Sequence, residues 1–170
     1  MDLNGFFLLL EENVLSVWLR ESTSMFVFPG ILSLHAIGMA FLVGTNVALD
    51  LRVLGFAPRV PVSTMEKFFP VMRFGFWVNA VSGVLLLIAY PTKGLTNPVF
   101  YLKLTLIALA LAATRVIRNS VVREPRSDER NASMNGKILA GVSIVLWVGA
   151  VTAGRLLAYT CVWLSATDKC

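Results

Sequence analysis

Four stretches of the chain are each apolar over about the twenty residues needed to cross the hydrocarbon core of a bilayer, and no other feature constrains the fold as much. They run near 26–49, 68–90, 98–117 and 138–164. Each is expected to be a helix, because a strand or coil in lipid would leave its N–H and C=O groups without partners. What remains of the 170 residues is too short for a second unit, so residues 1–170 are read as one all-α membrane domain, a four-transmembrane-helix bundle. Composition agrees: hydrophobic residues make up 56% of the chain and charged residues only 15%, with a mean hydropathy of +0.73. A water-soluble domain carries about a quarter charged residues.

Residues 1–21 follow a different pattern. Glu11 and Glu12 interrupt NGFFLLLEENVLSVWLRES, while Leu8, Val14, Leu15, Trp18 and Leu19 recur at helical spacing. That is the pattern of an amphipathic helix lying in the membrane interface. The segment lacks the basic start and unbroken apolar centre of a signal peptide and is expected to be retained. Cys161 and Cys170 are the only cysteines. They argue against a disulfide framework or a cysteine metal site and leave the redox compartment unread.

Charge sets the orientation. Arg52, Arg59, Lys67 and Arg73 flank the first connection, and Arg115, Arg118, Arg123, Arg126, Arg130 and Lys137 flank the third. Those two connections share one side of the membrane, and the positive-inside rule makes it the cytoplasm, with both termini outside. The run REPRSDERNAS, Arg123 to Ser133, is then a solvated cytoplasmic loop, and its Asn131–Ser133 sequon faces the wrong side for glycosylation. The sequence pI of 9.6 follows from this topology. No basic stripe interleaved with aromatics supports a nucleic-acid partner.

Several residues mark helix ends. Asn97 before Pro98 is an N-cap and first-turn pair, Pro91 closes the second span, and Pro29 belongs to the first turn of the first. Ala36, Ala40 and Gly44 on the first span, and Gly141, Gly149 and Ala153 on the last, form small-residue seams expected to pack the bundle. Trp147 and Trp163 are expected in packing or in the interfacial belt.

The polar residues inside the spans carry the functional signal, since intramembrane ionisable groups are costly and face protein, water or a ligand. His35, the only histidine, lies about nine residues into the first span, ~13 Å at the helical rise. Arg155 lies at a similar level in the fourth span, Tyr159 follows it by one turn, and Lys103 enters early in the third. This outer group contains no carboxylate. Backbone carbonyls, a lipid headgroup or a bound anion must offset its charge, and haem b or a porphyrin suits it: imidazole ligates iron while lysine and arginine hold propionates. A plain interhelical hydrogen bond is the competing role for His35, and interfacial snorkelling competes for Arg155 and Lys103. At the cytoplasmic end, Asp50 is expected to pair with one of Arg52, Arg73 or Arg115 and so fix helix register. Asn46, Asn79 and Ser82 are the obvious polar steps between the two levels.

The segments HAIGMAFLVGTNVALDLRVLG, FPVMRFGFWVNAVSGVLLLIA, NPVFYLKLTLIALA and GRLLAY resemble a bacterial four-helix integral membrane family of unknown function, over about Trp18 to Tyr159. The order of histidine, basic hairpin, glycine-bearing second span and KL opening the third is more distantly similar to HemJ-type protoporphyrinogen oxidases and CopD-like membrane proteins. By that resemblance the protein sits in the bacterial inner membrane, His35 is an axial haem ligand, and Lys103 is the propionate or catalytic partner. The chain departs from that type in having no further histidine, in adding Arg155 and in its amphipathic N-terminus.

Three functions fit these residues. One is a haem- or porphyrin-binding protein with a redox role. The second is an accessory or structural subunit of a homo-oligomer or larger membrane complex. The third is a lipid- or anion-binding transport protein. No residue is assignable as catalytic from sequence.

Overall fold

A computed structural model describes residues 12–21, 26–56, 58–60, 62–119 and 134–159. The Arg123–Ser133 loop with its sequon, Trp163, Cys161 and Cys170 lie outside the described residues. The elements in order are α1 (Val14–Glu21), α2 (Val27–Leu54), a 3-10 turn (Val62–Phe68), α3 (Phe69–Ala89), a short α4 (Pro91–Leu95), α5 (Pro98–Ile117) and α6 (Met134–Tyr159). Four helices are long and apolar enough to cross a membrane: Val27–Leu54, Thr64–Ala89, Pro98–Ile117 and Met134–Leu157. The chain is therefore a multi-pass membrane protein with an all-α bundle. Its exposed side chains, among them Phe74, Trp77, Leu102, Leu109, Val145 and Val148, are those that lipid solvates.

Local chemistry sets the helix ends. The Asn97 side chain accepts a hydrogen bond from the Val99 N–H at 2.9 Å, and Pro98 follows it in the first turn, as expected. The first span runs further than its apolar pattern suggested, past Asp50 and Arg52 to Leu54. It stops where Gly55 takes φ +106°, a left-handed conformation that costs glycine little. The N–H groups of Gly55 and Phe56 then bond back to the carbonyls of Arg52 and Leu51.

Helices α2 and α3 form one hairpin, α5 and α6 another, and α2 packs against α6 to join them. The α2–α3 crossing depends on two glycines. A Cβ on Gly75 would stand 2.8 Å from the Leu42 nitrogen and 2.9 Å from the Gly38 oxygen, so the two backbones touch. Such approaches hold helices together in lipid, where exclusion of water from between helices contributes little. The seam expected at Ala36, Ala40 and Gly44 does not pack the bundle; all three are exposed, one helix face away from Gly38. On α6, Ala153 is buried and Gly149 meets Leu106, whereas Gly141 has open space beside it.

The buried core lies toward one end. Leu42, Met72, Ala110 and Trp147 form one cluster, and Leu49, Val53, Ile117 and Ala140 a second, nearer Gly55. On α2 no residue before Gly38 is buried, and on α5 none before Ala110. Burial on α2 and α5 thus falls off from the tight Gly55 end to the loose Pro98 end, where Ala89, Asn97 and Ala153 remain buried on the other elements. Helix α1 packs over the loose end: Ser16 and Leu19 are buried while Val14 and Trp18 are exposed, and the Ser16 hydroxyl reaches the Ala89 carbonyl at 3.4 Å.

Candidate functional site

His35 sits on α2 at the loose end, one turn before the glycine that brings α3 close. Its Nδ1 lies 3.1 Å from the Asn79 carbonyl oxygen and 3.0 Å from the Ser82 hydroxyl. A carbonyl only accepts, so Nδ1 carries the proton and donates. Ser82 in turn donates to the Val78 carbonyl at 2.6 Å, leaving its lone pairs for the imidazole. The Asn79 amide donates back to the His35 carbonyl at 2.9 Å and lies 3.5 Å from Nε2. Gly83 makes room for the ring, since a Cβ there would stand 3.2 Å from His35 Cε1. The imidazole is therefore a clasp between α2 and α3.

Lys103 approaches from the other hairpin. Its stem lies half-buried on α5 against Gly154 of α6, where a Cβ would meet Lys103 Cε at 3.5 Å and Nζ at 3.6 Å. No carboxylate pairs with the ammonium among the described residues. Arg155 and Tyr159 are positioned differently: both are exposed, on the stripe of α6 that also carries Val145, Val148 and Thr152. The fold thus holds His35 against α3, lays Lys103 against α6, and turns Arg155 and Tyr159 outward.

A second polar group occupies the tight end, and its arrangement corrects the expected ion pair. Asp50 is 1% exposed, and among the described residues neither carboxylate oxygen has a hydrogen-bond partner. Arg52, two positions on and so about 200° around the helix, faces away from it. It donates through Nε to the Val60 carbonyl and through Nη2 to that of Pro58 at 3.4 Å, bracing the turn after α2. Arg73 and Arg115 are exposed on α3 and α5, and Arg118 stacks 4.5 Å above the Phe69 ring. Asp50 instead faces α6, where the Ser143 hydroxyl lies beside it without completing a hydrogen bond. One turn back along α2, Asn46 accepts from the Thr114 hydroxyl of α5 at 2.5 Å and donates to the Leu42 carbonyl at 2.7 Å.

Sequence reasoning missed Ser143 and Thr114, while Trp147 takes the packing role expected of it, in the core. One signal was present: Asn46 and Asp50 share a face of α2, and Ser143 and Trp147 share a face of α6, each pair four residues apart. No protein-family model matches the chain, and no curated protein or solved structure is significantly similar to it.

Two apolar grooves flank the His35 clasp. One, of about 360 Å³, lies between α1 and α2 against Trp18, Phe26, Gly30 and Leu34. The other, of about 350 Å³, runs along α2 and α3 past Phe74, Trp77 and Val81 to Ser82. Ile31, Leu34 and Leu85 border both, and Ser82, whose hydroxyl holds His35, is among the residues lining the second. Iron ligation by His35 would require the Asn79 amide to leave Nε2, and with it the bond that amide makes to the α2 backbone. With Nδ1 engaged by the Asn79 carbonyl and the Ser82 hydroxyl, Nε2 is the ring nitrogen left to meet any further partner.

Proposed function

We propose that this multi-pass membrane protein binds an amphipathic anion at the loose end of its bundle, with Lys103 as the counter-charge. One observation carries the proposal. A half-buried ammonium lies between helices, at a level where α2 and α5 are not buried, with no carboxylate partner among the described residues. In lipid such a cation is stabilised by an anion or by reaching the headgroups. Lys103 is folded over Gly154, between α5 and α6, where it can meet the head of a ligand whose tail lies among apolar helices. His35 holds α2 against α3 beside it. The shared ligand chemistry is a phosphate or carboxylate on an apolar body, which covers lipids, fatty acids and porphyrins.

The basic residues Arg52, Arg59, Lys67, Arg73, Arg115, Arg118 and Lys137 favour a cytoplasmic Gly55 end. In that orientation the Lys103 level belongs to the outer half of an inner membrane.

The test is a comparison of wild type with Lys103→Gln after extraction in mild detergent, using mass spectrometry of bound species and an absorption spectrum. Wild type should retain an anionic lipid or fatty acid that the variant loses. A Soret band abolished by Lys103→Gln would identify a porphyrin instead. Wild type carrying no anion, or both proteins carrying the same one, would overturn the proposal.

A further inference from the structure

Asp50 raises a separate question, and its answer does not depend on what Lys103 binds. An ionised carboxylate enclosed in a membrane bundle costs several kcal/mol unless a counter-charge or several hydrogen bonds compensate it. Asp50 has neither. It is 1% exposed, both oxygens lack partners, and the Ser143 hydroxyl beside it also lacks one. One turn further along the same face of α6, the buried Trp147 indole N–H is likewise unpartnered. These unsatisfied groups, from two helices that pack together, lie in adjacent layers of the most tightly closed part of the protein.

Among the described residues, every cation nearby is directed elsewhere. On α2, Arg52 is bound to the carbonyls of Val60 and Pro58. On α5, Arg115 is exposed and Arg118 covers Phe69. On α3, Arg73 is exposed, as are Glu66 and Lys67 on the preceding turn. Lys137 is half-exposed near the start of α6. None of them bonds to the carboxylate.

We propose that Asp50 and Ser143 form an intramembrane proton-binding site, with Asp50 held as the neutral acid and exchanging its proton when the α2–α6 contact admits water. A protonated acid suits these partners. Its O–H is a donor for the Ser143 oxygen, and its C=O remains an acceptor for a hydroxyl or indole N–H. The exchange adds a proton from water to one carboxylate oxygen and returns it the same way; no other bond changes. A metal cation suits the site poorly. It needs a shell of several oxygens, whereas the Asn46 side-chain oxygen is already occupied by Thr114 and the Trp147 N–H presents a donor.

Infrared difference spectroscopy of the protein in lipid nanodiscs tests this directly. Wild type minus Asp50→Asn at neutral pH should show a carboxylic-acid C=O stretch that shifts in deuterated water. Ser143→Ala should move that band to higher frequency, as an acid does when it loses a hydrogen bond. If Asp50→Asn does not fold, the Ser143→Ala shift assigns the band within an intact protein. Dicyclohexylcarbodiimide, which modifies protonated acids in apolar surroundings, should label Asp50. Labelling should fall about tenfold per pH unit once the acid ionises, with no protection by sodium. Absence of any acid band sensitive to Asp50 or Ser143 would overturn the proposal, and so would sodium-dependent protection, which would make this a metal-cation site. Neither result touches the Lys103 ligand, which is read by its own co-purification.

Discussion

Gly38 of α2 and Asn79 of α3 are in backbone contact: a Cβ on Gly38 would stand 2.7 Å from the Asn79 nitrogen and 3.1 Å from its Cα. Neither atom can move without shifting a whole helix. Gly38→Ala is therefore expected to lower stability by about 1–3 kcal/mol, the usual cost of overpacking. Gly44→Ala, with nothing within 4 Å of its new methyl group, should be close to neutral. Thermal unfolding in detergent distinguishes the two; equal midpoints would mean that the hairpin does not close at Gly38.

The same turn of α3 holds His35 through its Asn79 carbonyl and Ser82 hydroxyl. Ser82→Ala and His35→Ala should each destabilise the α2–α3 pair, and the double variant should lose less than their sum. The coupling is expected near 0.5–1.7 kcal/mol, the range for side-chain hydrogen bonds between membrane helices. A zero coupling energy in a double-mutant cycle would show that the imidazole is held by something other than this hydroxyl.

Thr114 is the side chain through which α5 donates to Asn46 of α2. Replacing it with valine keeps the shape and removes the donor. A loss of about 1 kcal/mol is expected, with the α5–α6 hairpin separating from α2 at lower denaturant. Paired cysteine labels on α2 and α5 would report that separation, and an unchanged transition would assign the junction to apolar packing alone.

Because Arg52 braces the turn after α2 and does not pair with Asp50, its removal should be felt locally. Arg52→Ala is expected to increase protease cleavage between Phe56 and Val60, where its guanidinium bonds to Pro58 and Val60. Arg73→Gln and Arg115→Gln, both at exposed positions, should alter stability by less than about 0.5 kcal/mol. A large effect of either would mean that Asp50 has a charged partner after all.

The architecture was legible because apolar length has one structural solution in lipid, and the Asn97–Pro98 cap because its chemistry is local. Pairing between helices was harder to read. Gly38 and Ala36 are both small and two residues apart, and nothing in the local sequence says which one faces a neighbour. The same ambiguity let Asp50 be matched to arginines at its own end of the bundle, although Arg52 points around the helix to its own turn, Arg73 and Arg115 are exposed, and Ser143 is the residue beside it. Depth along a span gave the level of His35, Lys103 and Arg155 but not their azimuth, which turns His35 to α3, Lys103 to α6 and Arg155 outward. Polar residues of modest hydropathy, such as Thr114 and Ser143, carry little signal in an apolar run until a partner helix is known.

The uneven closure of the bundle has a mechanical consequence. Helices α2 and α5, buried at Leu42, Asp50 and Thr114 and unburied toward Val27 and Pro98, have the layout of two arms on a shared fulcrum. Rocking one hairpin against the other would barely disturb the pivot while changing the gap that separates Lys103 from the α2–α3 pair. A molecule wedged there, or a change of charge at the pivot, would tilt the same two arms.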